Sequence, residues 1–109
     1  MKEYIMEGMY YVKIHHINNN SIVAICDEEI LGKVFKEGDI ILDVSPNFYK
    51  GERVDFETVL RIIEEGEIVV VTGRRIIKKL SQLGLVNEDY ALKVEDQLHI
   101  QIIREVYRD

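Results

Sequence analysis

A chain of 109 residues, 47% hydrophobic and 31% charged, is sized for one globular domain with a single core. Its formal net charge of −6 argues against wrapping duplex nucleic acid, where neutralised phosphates supply most of the affinity, but not against a local basic patch. One cysteine excludes an intrachain disulfide, His15, His16 and His99 show no zinc-ligand spacing, and no apolar run approaches membrane-spanning length; no metal or cofactor is expected.

Residues 1–8 carry no pattern and read as an N-terminal tail, with Met9 an alternative start; residues 9–109 read as a single domain. Tyr10–Ile17 alternates, with Tyr10, Val12, Ile14 and His16 on one face, as a half-buried strand does. Asn18, Asn19 and Asn20 tolerate positive φ and make a tight turn into the apolar run Ile22–Cys26, so residues 10–26 predict an antiparallel hairpin. Asp27, Glu28 and Glu29 suit the start of one or two helical turns, and Gly32 can end them in the left-handed conformation. Glu37-Gly38-Asp39 turns the chain into a second apolar run, Ile40–Val44. Both runs are short and bounded by turn signals, and read as strands buried on both faces. Ser45 to Arg53 reads as an irregular loop carrying Pro46 and Phe48-Tyr49-Lys50-Gly51.

Asp55 caps a predicted helix to about Glu65, with Phe56, Val59, Leu60 and Ile63 on one stripe and Gly66 at its end. Ile68–Val71 is a short apolar strand. Thr72 is placed to cap a second helix, Gly73 to about Leu83, with Ile76, Ile77, Leu80 and Leu83 inward. Asn87–Tyr90 is a turn, Ala91–Val94 a short strand, and Leu98–Tyr107 a long final strand, with a helix through Ile102, Ile103 and Val106 as the alternative. The pattern predicts an α+β domain: a mostly antiparallel sheet with two main helices packed on one face, a two-layer sandwich.

Three groups of residues carry candidate chemistry. Thr72, Gly73, Arg74 and Arg75 join a strand end to a helix N-terminus. Free N–H groups, a hydroxyl and guanidinium could hold a phosphate or carboxylate there, although the P-loop spacing is absent. Against this, both arginines could be solvated or paired with surface carboxylates. Cys26 at a helix start could be a nucleophile with a histidine as base, but Asp27, Glu28 and Glu29 favour the neutral thiol, and a buried cysteine serves equally as a small hydrophobe. His99 and Gln101 project from one strand face and could present donors to a ligand, as could any solvated strand face.

Several blocks in order then form a familiar pattern: Tyr11-Val12-Lys13-Ile14, Val23-Ala24-Ile25-Cys26-Asp27-Glu28-Glu29-Ile30-Leu31-Gly32-Lys33, Phe35-Lys36-Glu37-Gly38, Phe48-Tyr49-Lys50-Gly51, Gly84-Leu85-Val86 and His99-Ile100-Gln101-Ile102. Over residues 9–104 the chain resembles the small archaeal proteins grouped as domain of unknown function 424. The resemblance implies an archaeal cytosolic protein with a two-layer α/β fold, and implies no activity. By position, the signature of the family falls on Cys26, Asp27, Glu29, Gly32, Lys33, Phe48, Tyr49, Gly51, His99 and Gln101. This chain departs at Thr72-Gly73-Arg74, where members more often read Val-Gly-Glu, so an anion site at Arg74 would not be family-wide.

The leading expectation is a small non-enzymatic cytoplasmic binding protein contacting RNA or a ribonucleoprotein. Phe48 and Tyr49 would stack, and Lys33, Lys50, Arg53, Arg74 and Arg75 would meet phosphates. The competing expectation is an enzyme of unknown reaction using Cys26, Asp27, Glu29 and His99. A third is a structural subunit or homo-oligomer acting through an apolar strand face. Convergence of the enzyme set in one pocket would favour the second reading. Burial of Cys26, with Tyr49 and the basic residues on an open face, would favour the first.

Overall fold

The computed structural model describes residues 8–104. The expected tail therefore lies outside the described residues except for Gly8, as does the end of the final strand beyond Arg104. Strands β1 (Tyr10–Ile17) and β2 (Asn20–Asp27) form the expected hairpin, in register from Tyr10 opposite Asp27 to Ile17 opposite Asn20. Asn18 and Asn19 take φ of 49° and 68° at its turn, the left-handed region that asparagine tolerates. One 3-10 turn, Glu28–Ile30, follows, and Gly32 leaves it at φ 85°.

The next strands, β3 (Val34–Glu37) and β4 (Ile40–Asp43), pair only with each other, as a separate two-stranded sheet. This corrects the reading of Ile40–Val44 as a strand buried on both faces. Phe35 and Leu42 turn inward, while Ile40 and Ile41 are 44% and 61% exposed. The expected irregular loop at 45–53 contains a short helix, α1 (Pro46–Tyr49), and the start of β5 (Glu52–Val54). Ser45 caps α1 by accepting the Asn47 N–H at 3.2 Å, and Pro46 begins it, where a missing N–H costs nothing.

Helix α2 (Phe56–Glu65) starts as predicted, with the Asp55 carboxylate accepting the Thr58 N–H at 2.9 Å. Gly66 closes it in an extended conformation, φ −78°, rather than the left-handed one. Strand β6 (Ile68–Thr72), helix α3 (Arg74–Gln82), a 3-10 turn at Glu88–Tyr90, β7 (Leu92–Val94) and β8 (Gln97–Ile103) complete the chain. The main sheet runs β5-β1-β2-β6-β8-β7 and is antiparallel except where β6, after the crossover through α2, lies parallel to β2.

Period-two alternation along these strands sorts the core into two halves. On one face Tyr10, Val12, Val23, Ile25, Val69, Val71 and Leu98 pack against Phe56, Val59 and Ile63 of α2 and Ile76, Ile77 and Leu80 of α3. Each of these large apolar side chains contributes about 1.5–3 kcal/mol by leaving water. The expected two helices on one face are thus present, but Leu83, expected inward at the end of α3, is 54% exposed because the helix ends at Gln82 and Leu83 is already its C-cap. The other face is covered as well: Ala24, Cys26 and Val70 pack with Ile30, Leu42, Val44, Tyr49 and Val94, under the β3–β4 hairpin and α1. The Val23–Cys26 stretch of β2 is apolar throughout because it is buried on both sides.

Candidate functional site

The end of β2 sends consecutive side chains to opposite faces of the sheet, and this divides the candidate residues into two environments. Cys26 points away from α2 and α3. Asp27, completely buried, points towards the start of α3.

Asp27 caps that helix from 48 residues away. Its Oδ2 accepts the Arg75 N–H at 2.9 Å and its Oδ1 the Ile76 N–H at 3.0 Å. Gln97 Oε1 accepts the Arg74 N–H at 3.1 Å. The amide donors on which an anion site at Thr72, Gly73, Arg74 and Arg75 would draw are therefore already held by protein acceptors. Thr72 is not the cap. Burial pushes the Asp27 carboxyl up to about 7, against the opposing pull of Arg75 and the two amides.

Arg75 is committed through two of its three nitrogens, while its buried Nη1 has no hydrogen-bond partner among the described residues. Its Nε and Nη2 donate to Glu29 at 2.9 and 2.7 Å, Nη2 also donates to the Met9 carbonyl at 2.9 Å, and the guanidinium lies 4.5 Å from the Tyr10 ring centroid. This bidentate contact holds the Glu29 carboxyl below its usual range. Glu28 is likewise lowered by Arg53, at 2.7 Å.

On the opposite face Tyr49 Oη, Thr72 Oγ1 and His99 Nδ1 form a chain with both links at 2.8 Å. Tyr49 and Thr72 are buried and His99 half-buried, and burial lowers the pKa of His99, favouring its neutral ring. Cys26 lies in the same cluster, fully buried. Desolvation first, and the Asp27 charge second, push its thiol up to about 12, the reverse of nucleophile activation. Gln101 is exposed on this face beyond His99. The enzyme set is thus split, with Cys26 and His99 on one side of the sheet and Asp27 and Glu29 on the other.

The loop aromatics are turned inward. Phe48 stacks on His15 with centroids 4.7 Å apart and meets Tyr49 edge-on at 4.9 Å. Neither is offered to a nucleobase. Lys33 stands apart from Tyr49 and His99, on the wall of an open cleft of about 750 Å³ between the 3-10 turn and α3, whose lining includes the cations Arg74, Lys78 and Lys79 and the acids Asp27, Glu29 and Asp96. Helix α3 reads Arg-Arg-Ile-Ile-Lys-Lys-Leu-Ser-Gln, four cations and no carboxylate. Lys78 bonds Glu88 at 3.0 Å and Lys79 lies 4.3 Å over the Phe56 ring. Sequence reasoning picked out Arg74 and Arg75 but missed Lys78, Lys79 and Gln97. The carboxylate-free run of α3 was the available signal for the two lysines. Among the described residues no group of three or more His, Cys, Asp or Glu is placed to hold a metal, and no helix is long and apolar enough to cross a membrane.

The family model described as Protein of unknown function (DUF424) matches residues 15–104. The chain belongs to this family. Within the matched span Asp27 caps α3, Glu29 pairs with Arg75, and Tyr49 and His99 end the hydrogen-bonded chain through Thr72. No curated protein matches. Among solved structures, the fold resembles an uncharacterized conserved protein from Methanopyrus kandleri, with a TM-score of 0.69 and 22% identity over 94% of this chain and 99% of that one.

Proposed function

We propose that this DUF424 protein is a non-enzymatic cytoplasmic binding protein of archaeal type whose α3 cleft takes a polyanion, RNA or a ribonucleoprotein. The observation that carries this reading is the composition of the cleft wall. In a chain of net charge −6, five cations, Lys33, Arg74, Arg75, Lys78 and Lys79, line one open groove against three acids, Asp27, Glu29 and Asp96, of which Asp27 serves the α3 cap and Glu29 pairs with Arg75. Cations in the first turn oppose the helix dipole at about 0.3–1 kcal/mol each, a cost that a bound anion would reverse. Because Phe48 and Tyr49 are engaged internally, the contact is with phosphates rather than stacked bases. The split of Cys26 and His99 from Asp27 and Glu29 speaks against the enzyme alternative.

The test is affinity purification of the tagged chain from an archaeal lysate, with and without RNase, beside an Arg74→Glu, Lys78→Glu variant. RNase-sensitive material retained by the natural chain and lost by the variant is expected. The same purified RNA should bind with a salt dependence whose slope falls by about one for each phosphate contact removed. Retention of the same RNA by both proteins, or of none by either, overturns the reading.

A further inference from the structure

The α3 cleft holds a competitor for one of its own cations. Glu29 stands on the 3-10 turn that forms one wall, Arg75 on the helix that forms the other, and the two side chains meet across the cleft. The contact is side-on and bidentate, with Arg75 Nε and Nη2 donating to the two Glu29 oxygens at 2.9 and 2.7 Å. The other cations are not taken up in this way. Lys78 pairs with Glu88, outside this lining, and Lys33 and Arg74, both exposed, make no ion pair among the described residues.

The two partners are held unequally. Arg75 keeps its place without Glu29. Its guanidinium lies 4.5 Å from the Tyr10 ring centroid, Nη2 also donates to the Met9 carbonyl at 2.9 Å, and buried Asp27 stands 3.8 Å away. Glu29 has no such anchor. Its side chain is 52% exposed and meets no side chain but that of Arg75 among the described residues. Turned out into solvent, it exchanges those bonds for water and leaves the fork fixed and charged at the cleft wall. The two free oxygens of a phosphodiester match this fork as the two of a carboxylate do.

We propose that Glu29 is an internal competitor for the RNA backbone: it occupies Arg75 in the free protein, and a phosphodiester of single-stranded RNA displaces it. This rests on the reading of the α3 cleft as an RNA-binding groove and adds its regulation. On binding, Arg75 joins Lys33 and Arg74 as a phosphate contact, and Glu29 swings into water. The consequence is selectivity. A ligand must reach several cations at once to offset the broken pair, so a strand of phosphates is taken and a lone anion is turned away.

Binding of a fluorescent oligouridylate to the full chain across a salt series tests this. Glu29→Gln is expected to bind about fivefold tighter, the scale set by a half-exposed ion pair. Glu29→Asp keeps the charge but is one methylene too short to span the fork, and it should bind about twofold tighter. Arg75→Gln should reduce the log–log salt slope by about 0.7, one contact to a single strand. Glu29→Asp leaves Arg75 untouched and so reports even if Arg75→Gln fails to fold. If Glu29→Asp binds as the natural chain does, Glu29 acts by plain repulsion and the proposal is overturned. An unchanged slope in folded Arg75→Gln overturns it as well. If neither the natural chain nor Glu29→Gln binds the oligonucleotide, the groove reading itself falls and takes the competitor with it. If both bind equally, only the competitor falls.

Discussion

Asp27 Oδ2 occupies the space that a side chain at position 73 would need: a Cβ built on Gly73 would lie 2.3 Å from it. Gly73 also sits at φ 134°, in a region that residues with a Cβ avoid. The two residues are one device. Strand β6 ends, the chain turns through a conformation reserved for glycine, and the first amides of α3 arrive on the carboxylate at the end of β2. Gly73→Ala is therefore expected to cost more than about 2 kcal/mol, from backbone strain and from displacement of Asp27. The drop in the urea midpoint, at unchanged m-value, measures it.

The cap makes stability depend on pH in an unusual direction. Burial raises Asp27 from 3.8 unfolded to about 7 folded. Between those values the native state holds a proton that the unfolded state has released. This contribution is fully present below pH 3.8 and is lost as pH rises through 7. Glu29, lowered by Arg75, acts oppositely, stabilising above its unfolded pKa of 4.5 and losing that as pH falls. The difference between the natural chain and Asp27→Asn removes the shared Glu29 term. That difference is expected to shrink steadily from pH 4 to pH 7.5 in the favour of the variant, by a few kcal/mol at most. A flat difference across this range would show Asp27 ionised throughout.

Local physics made the β1–β2 hairpin, the Asp55 cap and the apolar stripes of α2 and α3 legible in the sequence, because each is decided within a few residues. The Ser45-Pro46 pair was an equally local signal for α1, read instead as loop. What sequence could not show was pairing at long range. The run Ile40–Val44 is nearly as apolar as Ile22–Cys26, broken only by Asp43, yet only the latter lies between two packed layers. The candidate site failed because the strand runs one residue further than the sequence suggests: with Asp27 inside β2, Cys26 and Asp27 face opposite ways and do not serve one pocket. That Asp27, not Thr72, caps α3 depended on strand order, which neither residue announces.

Cys26 should behave as an interior hydrophobe. With the thiol fully buried and pushed up to about 12, the native chain is expected to be inert to iodoacetamide at pH 8 and to react at once in denaturant. Cys26→Ala should cost about 1 kcal/mol. Cys26→Ser should cost more, roughly 1–3 kcal/mol, because it buries a hydroxyl in an apolar cluster with only the Tyr11 backbone to meet it. Alkylation followed by mass spectrometry and urea melts of both variants decide this. Rapid labelling of the folded chain would restore the thiol as candidate chemistry.

Thr72 is expected to matter through its hydroxyl rather than as a helix cap. Its Oγ1 joins Tyr49 Oη and His99 Nδ1, and Tyr49 and Thr72 are buried. Thr72→Val keeps the shape of the side chain but leaves the tyrosine hydroxyl and the imidazole nitrogen without their partner, at about 2–3 kcal/mol. Tyr49→Phe removes one end of the chain and leaves Thr72 bonded to His99, so it should cost only about 1 kcal/mol. Because the two residues share a bond, their effects should not add. In the double variant the Tyr49 hydroxyl is gone and cannot be orphaned, so the sum of the single costs should exceed the measured one by about 1 kcal/mol or more. Urea melts of the four proteins close the cycle. Thr72→Ser, which retains the hydroxyl, should stay near the natural chain. Strict additivity would mean that the Tyr49–Thr72 contact contributes no coupling and that the cost of Thr72→Val comes from the His99 bond alone.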